Sequence, residues 1–260
     1  MKIEYYHIDA FTKSVFKGNP AGVCLLEKPL TAETMQKIAF ENNLSETAFV
    51  ISEKGGYQIR WFTPEAEVDL CGHATLSAAH VLFNHKAHKT NKLEFQSKTG
   101  KLGVEKDGDW LYLDFPARPP MPCRAPAELL KALIYEPVKV MASVRDYMVV
   151  FHSETIIKKL TPDMELLKKL DKFGVMVTAP GDKADFVSRF FCPGEGVPED
   201  PVTGSAHCTL IPYWSEQLGK NELNALQVSA RGGQLKCRNL GERVKIGGQA
   251  VTFSQGWIEI

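Results

Sequence analysis

Short runs in which apolar and polar residues alternate dominate the chain, and that period of two predicts strands at 3–8, 22–26, 47–52, 57–62, 92–96, 100–105 and 110–115. Asp107-Gly108-Asp109 separates the last two as a hairpin turn. Helical spacing is confined to two segments of the first half: 31–42, with Thr31 as its N-cap, and 72–84, opening on Gly72. Five prolines then fall within 116–126, too many for a helix or a continuous sheet, so this stretch reads as a semi-rigid linker.

Beyond the linker the same grammar returns. Strands are predicted at 138–141, 147–151, 175–179, 186–191, 226–229, 234–237 and 243–246. One helix is predicted after Thr161-Pro162, with the proline in its first turn, and another over 204–218. Arg60-Trp61-Phe62-Thr63-Pro64-Glu65, running on to Asp69-Leu70-Cys71-Gly72-His73-Ala74, is echoed by Arg189-Phe190-Phe191-Cys192-Pro193-Gly194-Glu195, running on to Asp200-Pro201-Val202-Thr203-Gly204-Ser205-Ala206. Each copy reads as a strand, a proline loop with an acid, and a glycine that opens a helix of small residues. Two related lobes are therefore expected, one over 1–115 and one over 127–250. The strand near 252–260 is a candidate to return to the first.

Composition narrows the function. The 260 residues are 44% hydrophobic and 24% charged, ordinary values for a globular chain. Lys plus Arg and Asp plus Glu both number 31, so the basic excess a nucleic-acid binder needs is missing and no nucleic acid is expected. No apolar run approaches the roughly 20 residues that span a bilayer, and no membrane association is expected. The N-terminal residues alternate like a strand rather than forming a signal core, so a cytoplasmic location is expected. Six scattered cysteines without a CxxC pair suggest neither a disulfide framework nor a zinc ribbon, and His80, His85 and His88 do not have ligand spacing. No metal is expected.

The candidate chemistry lies at the two helix starts. Unpaired N–H groups and the positive dipole end there can hold a carboxylate or a developing enolate without Lys or Arg. Gly72 and Gly204 would let such a ligand approach the backbone, or would simply let each helix pack on its sheet. Glu46 shares a strand face with Leu44, Ala48 and Val50, where desolvation raises a carboxyl pKa toward proton-transfer range. The competing reading leaves it at a strand end in water. His73 follows the first glycine, and the dipole disfavours imidazolium there, so a neutral ring is expected. Asp200 and Ser205, at the second helix start, are either caps or ligand contacts. No G-x-S-x-G, GxGxxG or P-loop pattern is present.

Gly18-Asn19-Pro20-Ala21-Gly22-Val23, Asn43-Leu44-Ser45-Glu46-Thr47, Asp69-Leu70-Cys71-Gly72-His73-Ala74-Thr75 and Glu199-Asp200-Pro201-Val202-Thr203-Gly204-Ser205-Ala206-His207 together resemble the PhzF-like phenazine-biosynthesis family. The resemblance implies an α+β chain of the diaminopimelate-epimerase fold. Two similar lobes, each a curled, barrel-like mixed sheet around a central helix, would be related by a pseudo-two-fold axis with the active site between them. It implies an isomerase without cofactor that moves a proton on a small carboxylated substrate. The catalytic residues would be Glu46, His73 and Asp200, with Gly72, Gly204 and Ser205 binding the substrate. It also makes a homodimer plausible. The related epimerases use two cysteines; Cys71 resembles the first, but neither Cys192 nor Cys208 matches the second. A catalytically silent binding or protein-association module of this fold and an amino-acid epimerase or racemase are the alternatives.

Overall fold

Alternation becomes burial wherever one sheet face is covered. Leu93, Phe95 and Ser97 are buried while Lys92, Glu94 and Gln96 are exposed, the period-two pattern in its plainest form. The computed structural model describes residues 1–53 and 55–260. Its first elements are β1 (Lys2–Ala10), β2 (Asn19–Leu26), α1 (Ala32–Asn42), β3 (Glu46–Glu53), β4 (Gly56–Phe62), β5 (Glu67–Val68), α2 (Gly72–Asn84), β6 (Lys92–Ser97), β7 (Gly100–Asp107) and β8 (Trp110–Pro116). There follow β9 (Met121–Pro122), α3 (Ala127–Leu133), β10 (Lys139–Ala142), β11 (Asp146–Val150), α4 (Glu154–Lys159), α5 (Met164–Leu167), β12 (Gly174–Pro180) and β13 (Phe186–Cys192). The chain finishes with β14 (Val197–Asp200), α6 (Gly204–Leu218), β15 (Glu222–Gln227), β16 (Gly233–Asn239), β17 (Arg243–Gly248) and β18 (Ala250–Glu259).

The chain divides into two units, Met1–Asp114 with Gly247–Ile260, and Phe115–Ile246. Strand β18 pairs antiparallel with β1 from Lys2↔Glu259 to Ala10↔Ala250, within the first unit. The fold is mixed α+β, built from curled sheet with few helices. In the first unit β2 runs parallel to β3, β3 antiparallel to β4, β4 antiparallel to β5 and parallel to β6, and β6 antiparallel to β7. The second unit repeats every one of these relations with β11, β12, β13, β14, β15 and β16.

The echo between the halves is carried by side chains as well. Arg60 on β4 grips Glu67 with Nε and Nη2 at 2.7 and 2.8 Å and lies over Phe62. Arg189 on β13 grips Glu199 at 2.7 and 2.9 Å and lies over Phe191. A planar fork meeting a carboxylate at two points fixes the hairpin that leads into each central helix.

One sheet face in each unit is covered by outer helices. Met35 and Ile38 of α1 pack with Cys24, Phe49 and Phe62, while α3, α4 and α5 bring Leu129, Ile157 and Leu167 onto Tyr147, Val149, Val175 and Val177. The opposite face receives the central helix. Helix α2 touches β1, β2, β3 and β18, and Trp214 of α6 donates to Thr178 of β12 at 2.9 Å. No helix among the described residues is long and apolar enough to cross a membrane.

Three local expectations are corrected. Ala117 and Arg118 donate to Glu242 and Cys208, and β9 pairs with β10, so the proline segment is strapped to the second unit rather than acting as a linker. Ala117 and Arg118, between the prolines, still carry N–H groups, and these find acceptors. Pro162 lies before α5 rather than inside it, because the Asp163 carboxylate caps the helix by accepting from Glu165 and Leu166. Strand β15 spans Glu222–Gln227, earlier than the apolar pattern at 226–229 indicated.

Candidate active site

Glu46 is the first residue of β3 and stands opposite Ala21 of β2. Ala48 and Val50, on its own face, are buried, so the strand delivers the carboxyl to the α2 side of the sheet. Its side chain is 19% exposed, and Oε2 lies 3.0 Å from Nε2 of the buried His73. That oxygen is out of contact with water, so its close partner is the imidazole. The other ring nitrogen, Nδ1, meets Asn19 Nδ2 at 3.2 Å and Cys71 Sγ at 3.5 Å. Ser45 donates to Asn19 Oδ1 at 3.3 Å, turning the amide nitrogen toward the ring. A neutral His73 held this way carries its proton on Nε2, beside Glu46.

Burial alone would lower the His73 pKa, but Cys71 and Glu46 outweigh it and hold the imidazole well above its ordinary value. The helix dipole alone favours a neutral ring, and Glu46 opposes it. The dipole presents about half a charge, whereas the nearby carboxylate presents a whole one. Burial and the neighbouring Glu46 push the Cys71 thiol up, while His73 beside it pulls the other way.

Glu46, Cys71 and His73 each offer a ligand atom within 4.8 Å of the others, a grouping that sequence spacing did not reveal. Cys71 is nearer Nδ1 while Glu46 meets Nε2, so one ion on one ring nitrogen would need side chains to move. As arranged, the trio suits proton handling better than metal ligation.

The second unit builds a different polar cluster at the start of α6. Asp200 ends β14 and accepts from Thr203 Oγ1 at 2.6 Å. Buried Gln227 clamps the turn: its Oε1 accepts from Thr203 N at 2.9 Å, and its Nε2 donates to Asp200 O at 2.8 Å. The N-cap side chains of α2 and α6, Cys71 and Thr203, make no capping hydrogen bond to their helices. Ser205 Oγ accepts from Arg145 Nη1 at 3.2 Å.

Arg145 and Asp146 were missed from the sequence, as were Asn19 and Gln227 as supporting groups. The strand register makes Asp146 interpretable. Thr47 pairs with Phe62, and Val175 pairs with Phe191, so Glu46 and Gly174 occupy equivalent positions in the two units. Glu46 stands opposite Ala21, while Gly174 stands opposite Asp146. Each unit thus sets one acid against one small residue at the same register, with the acid moved to the neighbouring strand in the second. Of the expected site residues, Glu46, Gly72 and His73 gather in the first unit. Asp200, Gly204 and Ser205 gather in the second.

A curled mixed sheet around a buried helix, built twice with polar groups at both helix starts, defines the class: the fold shared with epimerases and racemases. A hydroxyproline epimerase from Agrobacterium vitis has it at a TM-score of 0.62 and 9% identity, covering 99% of this chain and 92% of that one. The chain belongs to the phenazine biosynthesis-like (PhzC-PhzF) family, whose model matches residues 8–256. It is 51% identical to an uncharacterized isomerase of Pseudomonas aeruginosa over the full length of both. A PhzF-family phenazine biosynthesis protein from Enterococcus faecalis is 49% identical, with a TM-score of 0.98 and complete coverage of both chains.

Proposed function

We propose that the protein is an isomerase that moves a proton on a small carboxylated substrate, with Glu46 as the group that takes and returns it. The observation that carries this reading is the water-shielded Glu46 Oε2, which is paired with His73 Nε2 at 3.0 Å. Such an oxygen has lone-pair density available for a substrate proton, and the imidazole can steady the charge as it changes. The reading assigns carboxylate binding to the backbone N–H groups of Gly72, Gly204 and Ser205, with Asp200 as a second polar group for the reacting substrate. Relatives named as isomerases support the general reaction type. No step assigned here calls for a cofactor.

The test is solvent-deuterium incorporation into candidate carboxylic acids, followed by NMR. The wild type is expected to label its substrate at carbon, and Glu46→Gln to slow that exchange by about 10²-fold or more while retaining ligand binding. Near-normal exchange by the variant would remove Glu46 from the role. Tight binding without any exchange by the wild type would favour a silent binding module, and loss of optical rotation on incubation an epimerase.

A further inference from the structure

The second unit contains an arginine whose charge is not taken up by a hydrogen-bonded carboxylate. Arg60 and Arg189 each meet a glutamate through two hydrogen bonds, but the Arg145 side chain hydrogen-bonds the hydroxyl of Ser205. Its guanidinium carbon lies 3.5 Å from the centroid of the Phe173 ring, which fixes the plane of the fork. The side chain is 33% exposed, so an incoming molecule can reach it.

Behind Arg145 sits Asp146, 2% exposed, with Oδ1 at 3.9 Å from Arg145 Nε and without a hydrogen-bond partner. Asp146 shares its sheet face with Gly174, Met176 and Thr178, the face on which Trp214 of α6 bonds Thr178. This separation balances the arginine's charge without occupying its donors. A bidentate partner such as Glu67 or Glu199 would occupy them.

We infer that Arg145 and Ser205 form a second anion-recognition subsite, so that the substrate of the proposed isomerase carries two acidic groups rather than one. This rests on the proton-transfer reading only for calling the ligand a substrate; the subsite itself is a property of the second unit. A second carboxylate would take a hydrogen bond from the Arg145 fork and another from the Ser205 hydroxyl, both in a partly desolvated setting. Arg145 is then a specificity residue and takes no part in moving the proton.

Succinate and butyrate, which have the same number of carbons and differ by one carboxylate, are the probes. Isothermal titration calorimetry of the full chain at matched ionic strength is expected to show succinate binding about tenfold tighter or better. Arg145→Met should erase that preference and leave butyrate binding unchanged, while Arg145→Lys, which keeps the charge but not the fork, should retain part of it. Equal binding of the two acids by the wild type, or binding of neither, overturns the subsite. So does a full succinate preference in Arg145→Met or, should that variant fail to fold, in Arg145→Lys. Glu46→Gln is expected to keep the preference. If it does and yet still exchanges deuterium normally, the proton reading fails and the subsite stands; the reverse pattern of results removes the subsite and leaves the proton reading.

Discussion

A buried acid without a hydrogen bond to one of its oxygens has a thermodynamic signature. Burial pushes the Asp146 carboxyl from 3.8 up to about 6, against the opposing pull of Arg145, Arg118 and Lys172. The folded state therefore binds this proton more tightly than the unfolded state does. The stability it contributes is fully present below about pH 4 and is lost as the pH rises through 6. Asp146→Asn removes that loss. The variant is expected to match the wild type near pH 4 and to exceed it at pH 8 by up to about 3 kcal/mol, read by urea denaturation at both values. A variant less stable at pH 8 than the wild type would show that ionised Asp146 is a net stabilising partner of Arg145. Natural chains that keep a residue with such a cost commonly use it in function, which agrees with the place of Asp146 behind the arginine.

Among the elements, β12 shows how closely the repeat is packed. A Cβ built on Gly174 would meet the Phe190 ring at 2.3 Å, so the position that holds Glu46 in one unit has no room for a side chain in the other. Gly174→Ala should cost about 1–3 kcal/mol through overpacking, seen as a lowered Tm with the tertiary fold retained. An unchanged Tm would mean that the ring moves aside without cost. Elements of this kind were legible where local pattern and tertiary setting agree. Strand parity put Glu46 with Ala48 and Val50, although Leu44, read onto the same face, precedes β3, and the Thr31 hydroxyl caps α1 by accepting from Thr34. Helices α3 and α4 were not legible, since seven and six residues give too few turns for a 3.6-residue period to register. Arg145-Asp146 lie just outside the strand predicted at 147–151. Their chemistry depends on Ser205, sixty positions away, and no local window contains that contact.

For the whole molecule, the two units differ in how the chain completes them. The second is continuous, whereas the first needs β18 beside β1. Deleting 250–260 should therefore expose one edge of β1 and unsettle the first unit selectively. Hydrogen exchange is expected to show lost protection in α2 with protection in α6 retained; equal loss in both would mean that the units unfold together.

That pairing also has a meaning in time. On the ribosome, residues 115–246 are all made before β18 emerges, so the unit carrying Arg145 and Ser205 can reach its final form while the one carrying Glu46 and His73 still lacks a strand. The closure between β1 and β18 spans nearly the entire chain and carries the largest loop entropy of its pairings, growing only with the logarithm of length. The proposed proton carrier thus lies in the last unit to be finished. A polypeptide released early would lack the strand that completes the Glu46 unit, so the order of synthesis links proton-transfer competence to production of the C-terminal strand.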